Sequence, residues 1–344
     1  MTYFSAFSGI GGFEMGIQQA YEDIFSEKEK ERIREKDEKT LRIKKDRHDN
    51  ERDSRLDDCG TKSQQHFDGS SNRQSSCIGY SEIDKYAVKI YEHHFPEHKN
   101  YGDIAKIDWS AVPDFDLLTG GSPCQNFSIA GKREGIVGSE SRLVWEYIRC
   151  LREKKPRYFI WENVRGVMSS RGGWDFANIL TAFSNEGYAL SWQVLNSKDF
   201  GVPQNRERVF VVGSRGESPP EVFFERADDT EADELPRHIA NTLTSRYEGG
   251  QATGTYISEG ELDAQEAGEQ GLLEEGAVAD HPDGRRGQAH TAIRRLTCVE
   301  CARLQGFPDD WHKIEGISDT RAYQAYGNAV TVNVIREIVK RLIP

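Results

Sequence analysis

Apolar residues fall on two periods along this chain, and the switches between them mark out its elements. Tyr3 to Phe7 reads as a strand, the cluster Ser8-Gly9-Ile10-Gly11-Gly12 follows, and Phe13, Ile17 and Tyr21 then recur at helical spacing. Strand, glycine turn and helix in that order open a Rossmann-like nucleotide site. Ile78-Gly79-Tyr80 predicts a second strand ending at Ser81-Glu82, where a carboxylate can meet ribose hydroxyls. A helix is predicted over Lys85 to His94, and Tyr101-Gly102-Asp103-Ile104 follows it. Asp103 is a second candidate for a polar contact to a nucleotide, or a cap for the next segment. Phe115, Leu117 and Leu118 predict a short buried strand, Arg142 to Arg152 a helix, and Arg157 to Val164 an aromatic and aliphatic strand. Val209 to Gly213 reads as a further strand. At the C-terminal end Val330, Val334, Ile335, Ile338, Val339 and Leu342 give one apolar helix face, expected to pack beside the first helix.

Two stretches break this order. Between Ser26 and Cys77, 52 residues carry 14 Lys/Arg and 13 Asp/Glu with scattered apolar positions, so the segment reads as a charged, flexible insertion. Its first half, Glu27 to about Asp49, suits an exposed helix with i,i+4 ion pairs, and its Ser/Gln/Asn/Gly-rich second half reads as disordered. The insertion also explains a spacing. Glu82 lies 70 residues after Gly12, and removing the 52 leaves 18, near the usual separation of glycine turn and ribose-binding acid. The second stretch, 217–285, holds 18 Asp/Glu against four Lys/Arg.

The chain has 344 residues and a net charge of −12; that acidic stretch alone carries about −14, so the rest is near +2. Such a length holds one large domain and a smaller one. No apolar run reaches membrane-spanning length, and the first residues lead into a strand without the pattern of a signal peptide, so a cytoplasmic protein is expected. The six cysteines are irregularly spaced, which suits a reducing compartment better than a disulfide framework. Cys298 and Cys301 form a lone C-x-x-C without two further ligands nearby, and no metal site is expected.

The candidate chemistry centres on Gly120-Gly121-Ser122-Pro123-Cys124-Gln125-Asn126-Phe127-Ser128. The glycines let the backbone turn after a buried strand, and Pro123 stiffens the approach to the thiol. A cysteine in such a turn is by itself as consistent with a buried structural role as with a nucleophile. Residues 132–142, rich in Gly, Ser and charge, suit a lid. Glu162 ends an apolar strand, a partly desolvated setting suited to carrying a proton. Gln204-Asn205-Arg206-Glu207-Arg208 sets two guanidinium groups where an anion or a base edge can be held, or is a surface charge run.

Together these segments resemble the DNA cytosine-5 methyltransferases of bacteria and phages. The resemblance runs through Phe7 to Gly12, Ser81-Glu82-Ile83-Asp84, Gly102-Asp103-Ile104, Gly121 to Ser128, Glu162-Asn163-Val164, Gln204 to Arg208, Arg295 to Pro308 and Gly327-Asn328-Ala329-Val330. One departure is Ser5-Ala6-Phe7 in place of the family's usual Asp-Leu-Phe.

The resemblance implies a Rossmann-like class I S-adenosylmethionine-dependent methyltransferase, an α/β fold with a smaller target-recognition domain. The catalytic domain is expected over 1–25, 78–213 and 318–344, and the target-recognition domain over 214–317. It implies that the Cys124 thiolate adds to C6 of a flipped-out cytosine, that Glu162 supplies the N3 proton, and that Arg206 and Arg208 hold the base oxygen and a nearby phosphate. C5 then takes the methyl group, and loss of its proton expels the thiolate. Phe7, Gly9, Gly11, Glu82, Asp103 and Asn328 are the implied cofactor residues, with Asn328 at the start of the last helix. Gln125 and Ser128 are expected DNA contacts, and Arg246 is a further candidate because it lies in the less acidic patch Arg237 to Thr255.

Double-stranded DNA bound by a monomer is the implied substrate, with a cognate restriction endonuclease as one partner such enzymes have. A tRNA cytosine-5 methyltransferase is the alternative, although that group's Cys-Phe-Thr in the recognition lobe is absent. A non-catalytic Rossmann-like binding protein is the other.

Overall fold

The computed structural model describes residues 1–50, 75–123, 142–216, 218–223, 240–241, 256–258 and 293–343. Strands β1 (Thr2–Ala6), β2 (Ser76–Ser81), β3 (Leu117–Gly121) and β4 (Tyr158–Val164) share one sheet with β5 (Ala189–Asn196) and β7 (Glu207–Ser214). The short β6 (Gln204–Asn205) lies between these last two in sequence. Sheet order is β2-β1-β3-β4-β7-β5; the first four strands run parallel, and β7 is antiparallel to both β4 and β5. Among the described residues β6 also pairs with β8 (Ala240–Asn241), and β9 (Tyr256–Ser258) pairs with β10 (Ile293–Arg295).

The period of two along each strand sends neighbouring residues to opposite faces, and both faces are covered. On one, Phe4, Ala6, Leu118, Phe159, Trp161, Val209 and Val211 are buried. They meet Val144, Tyr147 and Leu151 of α3 (Arg142–Lys154) and Phe176, Ile179 and Phe183 of α4 (Trp174–Asn185). On the other, Tyr3, Leu117, Ile160, Phe210 and Val212 meet Phe13, Ile17 and Ala20 of α1 (Gly12–Asn50).

A third cluster joins Ala87 and Ile90 of α2 (Lys85–His94) to α5 (Cys298–Gln305) and α6 (Asp319–Asn328). The last helix, α7 (Val332–Leu342), buries Val334, Ile335, Ile338, Val339 and Leu342 against α1, as its periodicity predicts. Gly16 makes this approach close: a β-carbon there would stand 2.7 Å from Ile335. Arg336 clamps the pair with a bidentate bond to Asp23 at 2.6 and 2.7 Å.

Three boundaries differ from the sequence expectation. The first half of the insertion is helical, but it continues α1 without a break through Asn50. The insertion also ends earlier than Cys77, because Ser76 and Cys77 pair with Thr2 and Tyr3 as the start of β2. Polar Ser76 and the half-buried thiol carry no apolar signal, yet the edge of β1 needs hydrogen-bond partners. Finally, Leu296, Cys298, Cys301, Leu304, Phe307 and Trp311, expected in the recognition domain, share the third cluster with Ile10, Ala322 and Tyr326. An apolar helix face as short as that of α5 must bury itself against something, and here the partners are Ile10 of the glycine turn, α2 and α6. No helix of the described residues is long and apolar enough to cross a membrane.

Candidate active site

The four parallel strands end on one edge, where the chain reverses into loops that carry the predicted site residues, the usual ligand side of such a sheet. After β1 the turn winds through the left-handed region, with φ of 56° at Phe7, 56° at Gly9 and 91° at Gly11. It is closed by Gly11 N donating to the Ser8 carbonyl at 3.1 Å. The back of the turn is packed, since a β-carbon at Gly11 would lie 2.6 Å from the Phe95 ring and one at Gly12 2.9 Å from Val330. Its front is open: a β-carbon at Gly9 would meet nothing within 4 Å.

Glu82 stands at the end of β2 against this opening. Its Oε2 accepts from Gly9 N at 2.9 Å, and its Oε1 accepts from Ile83 N and Asp84 N, each at 2.8 Å. Asn100 braces the same residue through its backbone, donating to the Glu82 carbonyl and accepting from Glu82 N. An open glycine turn beside a carboxylate held by three backbone N–H groups fits the adenosyl and methionyl parts of S-adenosylmethionine, which Phe7, Gly9, Gly11 and Glu82 would hold.

Asp103 and Asn328 are differently placed. The Asp103 carboxylate caps a short 3-10 turn, accepting from Ala105 N at 3.0 Å, and also faces Lys106. Asn328 is exposed and ends α6 instead of beginning the last helix, because Ala329-Val330-Thr331 intervenes in extended form.

On the neighbouring strands the acid and one arginine meet. Gly121 pairs with Glu162 and Val164 pairs with Arg208, so Glu162 and Arg208 are diagonal neighbours on one face of the antiparallel β4–β7 pair. The Arg208 Nε lies 3.0 Å from Glu162 Oε1, with both side chains largely but incompletely buried. Gly121 leaves room for this carboxylate, since a β-carbon there would come within 2.7 Å of Glu162 Oε2.

Arg206 does not join them. It is only 2% exposed, and its guanidinium donates to the carbonyls of Gly327 and Ala329 at 3.2 and 2.9 Å. Its role in the fold is to bind the α6–α7 junction, which removes it from the expected catalytic group.

Cys124, Gln125, Ser128, residues 132–141 of the expected lid and Arg246 lie outside the described residues. The approach to the cysteine is nevertheless fixed up to Pro123. Trp161 Nε1 donates to Ser122 Oγ at 3.1 Å, and Asn163 Nδ2 donates to Ser122 O and Oγ at 3.1 and 3.2 Å. These anchors, which flank Glu162 in sequence, were missed as site residues; their polar groups at the end of an apolar strand are the signal that could have found them.

A second missed group is Glu14, which is 1% exposed beneath the glycine turn. Burial pushes its carboxyl up to about 7, partly offset by Ser5 and Tyr91. The thiols of Cys298 and Cys301 are buried and pushed up to about 12, mainly by desolvation, so neither is a reactive thiolate near neutrality.

A family model described as C-5 cytosine-specific DNA methylase matches residues 59–270 and 245–344. The orphan methyltransferase M.Rho11sI of Bacillus phage rho11s is 49% identical over 140 residues, which is 40% of this chain but 28% of that protein. The chain thus spans well under half the length of this phage relative. The type II methyltransferase M.NlaX of Neisseria lactamica is 34% identical over 281 residues, covering 77% of this chain and 88% of that protein. In three dimensions the S. pombe Dnmt2 methyltransferase is similar with a TM-score of 0.63 at 18% identity, over 100% of this chain and 98% of the other. At that identity the likeness is one of fold.

Proposed function

Since the chain belongs to the C-5 cytosine-specific DNA methylase family, whose cofactor is S-adenosylmethionine, we propose that it methylates C5 of a cytosine in duplex DNA. The observation that carries this reading is the Glu162–Arg208 pair at 3.0 Å, beside the anchored Ser122-Pro123 turn that leads into Cys124. A carboxyl and a guanidinium in contact, next to the turn whose sequence runs on into a cysteine, suit a pyrimidine ring that must be attacked and protonated.

In this reading the Cys124 thiolate adds to C6 of the flipped base and raises the electron density at C5. Glu162 hydrogen-bonds N3 and the exocyclic amine and delivers the proton that neutralises the ring. Arg208 holds the base oxygen and keeps Glu162 in place. S-adenosylmethionine, when bound, supplies the methyl group. Removal of the C5 proton then lets the thiolate leave as the double bond re-forms.

A second reading is a tRNA cytosine-5 methyltransferase. The fold-level similarity to a Dnmt2 methyltransferase is the finding in its favour. Against it stand the family description and the identity to a type II methyltransferase over most of both chains. Base-resolution mapping of 5-methylcytosine in DNA and tRNA from cells expressing the chain separates the two. A mark in DNA at one sequence context is expected, and a mark confined to tRNA overturns the duplex reading.

A further inference from the structure

Trp311 lies far along the chain from the glycine turn, just beyond α5, yet its indole Nε1 donates to the carbonyl of Ile10 at 2.9 Å. The ring is held on several sides. It stacks on His94 with centroids 3.5 Å apart and planes 3° from parallel, and meets Phe307 and Phe95 at 5.4 and 5.8 Å. His94 Nε2 also bonds the Trp311 carbonyl at 2.8 Å, which requires that nitrogen to carry the proton. Burial lowers the His94 pKa, consistent with a neutral ring in this stack.

Ile10 is 1% exposed, so its carbonyl has no access to bulk water to replace the indole. That carbonyl belongs to the same peptide unit as the Gly11 N–H, which closes the turn onto Ser8. Fixing the Ile10 oxygen therefore fixes the plane of the Ile10–Gly11 peptide. The neighbouring Gly9 N–H is held on Glu82, so the turn is tied at two points by groups from distant parts of the chain.

We propose that Trp311 is a positioning residue for the cofactor turn: its indole N–H locks the Ile10–Gly11 peptide in the conformation that receives S-adenosylmethionine. The inference rests on the cofactor reading above and adds a residue to it.

Trp311→Phe keeps an aromatic ring against His94 and removes the donor together with part of the indole. Isothermal titration with S-adenosylmethionine should show an affinity about tenfold weaker than wild type, the scale of one buried carbonyl left unpaired. The KM for the cofactor should rise in parallel while kcat at saturation stays within about twofold, a split that general loosening of the fold would not give. His94→Phe preserves stacking but frees the Trp311 carbonyl, and should weaken binding in the same direction by a smaller factor. Wild-type affinity in both variants, or a loss confined to kcat, overturns the inference alone. Failure of the wild-type protein itself to bind S-adenosylmethionine overturns the cofactor reading and this inference with it.

Discussion

The Tyr91 phenol donates to Oε1 of Glu14 at 3.0 Å, while Oε2 of the same carboxyl has no hydrogen-bond partner among the described residues. The groups around it are Tyr3 and Ser5 on β1, Cys77 and Tyr80 on β2, Glu82 just after that strand, and Tyr91 on α2, whose hydroxyl also meets His98 Nδ1 at 2.9 Å; burial lowers the pKa of that imidazole. Charging Glu14 therefore places a carboxylate in a fully buried site, and desolvation is the largest cause of its raised pKa. The folded-state value of about 7 lies above the unfolded 4.5, so the folded protein binds a proton that the unfolded chain has lost. The contribution is complete below the unfolded value and is lost as pH rises to the folded one. Unfolding free energies from urea titration should fall from pH 5 to pH 8, by on the order of 2–3 kcal/mol from this group. Glu14→Gln should flatten that fall; an unchanged pH profile would show that Glu14 is not its source.

The Glu162–Arg208 contact makes its own forecast. Glu162→Gln keeps the shape and removes the transferable proton, so single-turnover methyl transfer should slow by roughly 10²–10⁴-fold. Cofactor affinity should be unaffected, because Glu162 lies two strands from the glycine turn in the sheet. Tritium transfer and titration on the same preparation read both quantities.

Cys124 is the proposed nucleophile. Its replacement by Ala should reduce methylation by on the order of 10⁴-fold or more while leaving S-adenosylmethionine binding intact. DNA with 5-fluorocytosine at the target lacks the C5 proton, so wild-type enzyme and cofactor should yield an adduct that survives denaturation. An adduct formed equally by the Ala variant would remove Cys124 from the mechanism.

Asn163 and Trp161 hold Ser122 from the neighbouring strand. Asn163→Ala deletes two of those bonds in a buried site and should cost about 1–3 kcal/mol of stability. The larger effect should be on kcat, since the nucleophile's turn loses its anchor while the glycine turn does not. Equal losses in kcat and cofactor affinity would point to general unfolding.

The corrected insertion boundary is testable by deletion. Removing 28–74 with a short Gly/Ser linker keeps the Asp23–Arg336 clamp and the β1–β2 pairing, and should leave Tm within roughly 4 °C of wild type. Removing 26–77 strips Ser76 and Cys77 from the partners of Thr2 and Tyr3 and should be clearly less stable. Identical melting curves would put the start of β2 elsewhere.

Local pattern was enough for much of this protein. The strand, glycine turn and helix at the N-terminus, α2 at Lys85–His94, and the apolar face of α7 each follow from periodicity, because burial on one face leaves its repeat in the sequence. The closeness of Glu82 to the glycine turn was also legible, once the charged insertion was discounted.

What only the tertiary structure decided are the relations between distant residues. Arg206 and Arg208 sit two apart in one motif, and nothing local distinguishes them; β7 runs antiparallel beside β4 and brings Arg208 to Glu162, while Arg206, just before the strand, meets the α6–α7 carbonyls. Trp311 reads as one more apolar residue in a loop, and its bond to Ile10 exists because α2, α5 and α6 close one cluster behind the glycine turn. Period and composition report which residues leave water. Which backbone group a buried donor finds depends on strand order and helix packing, and those are set by the whole chain at once.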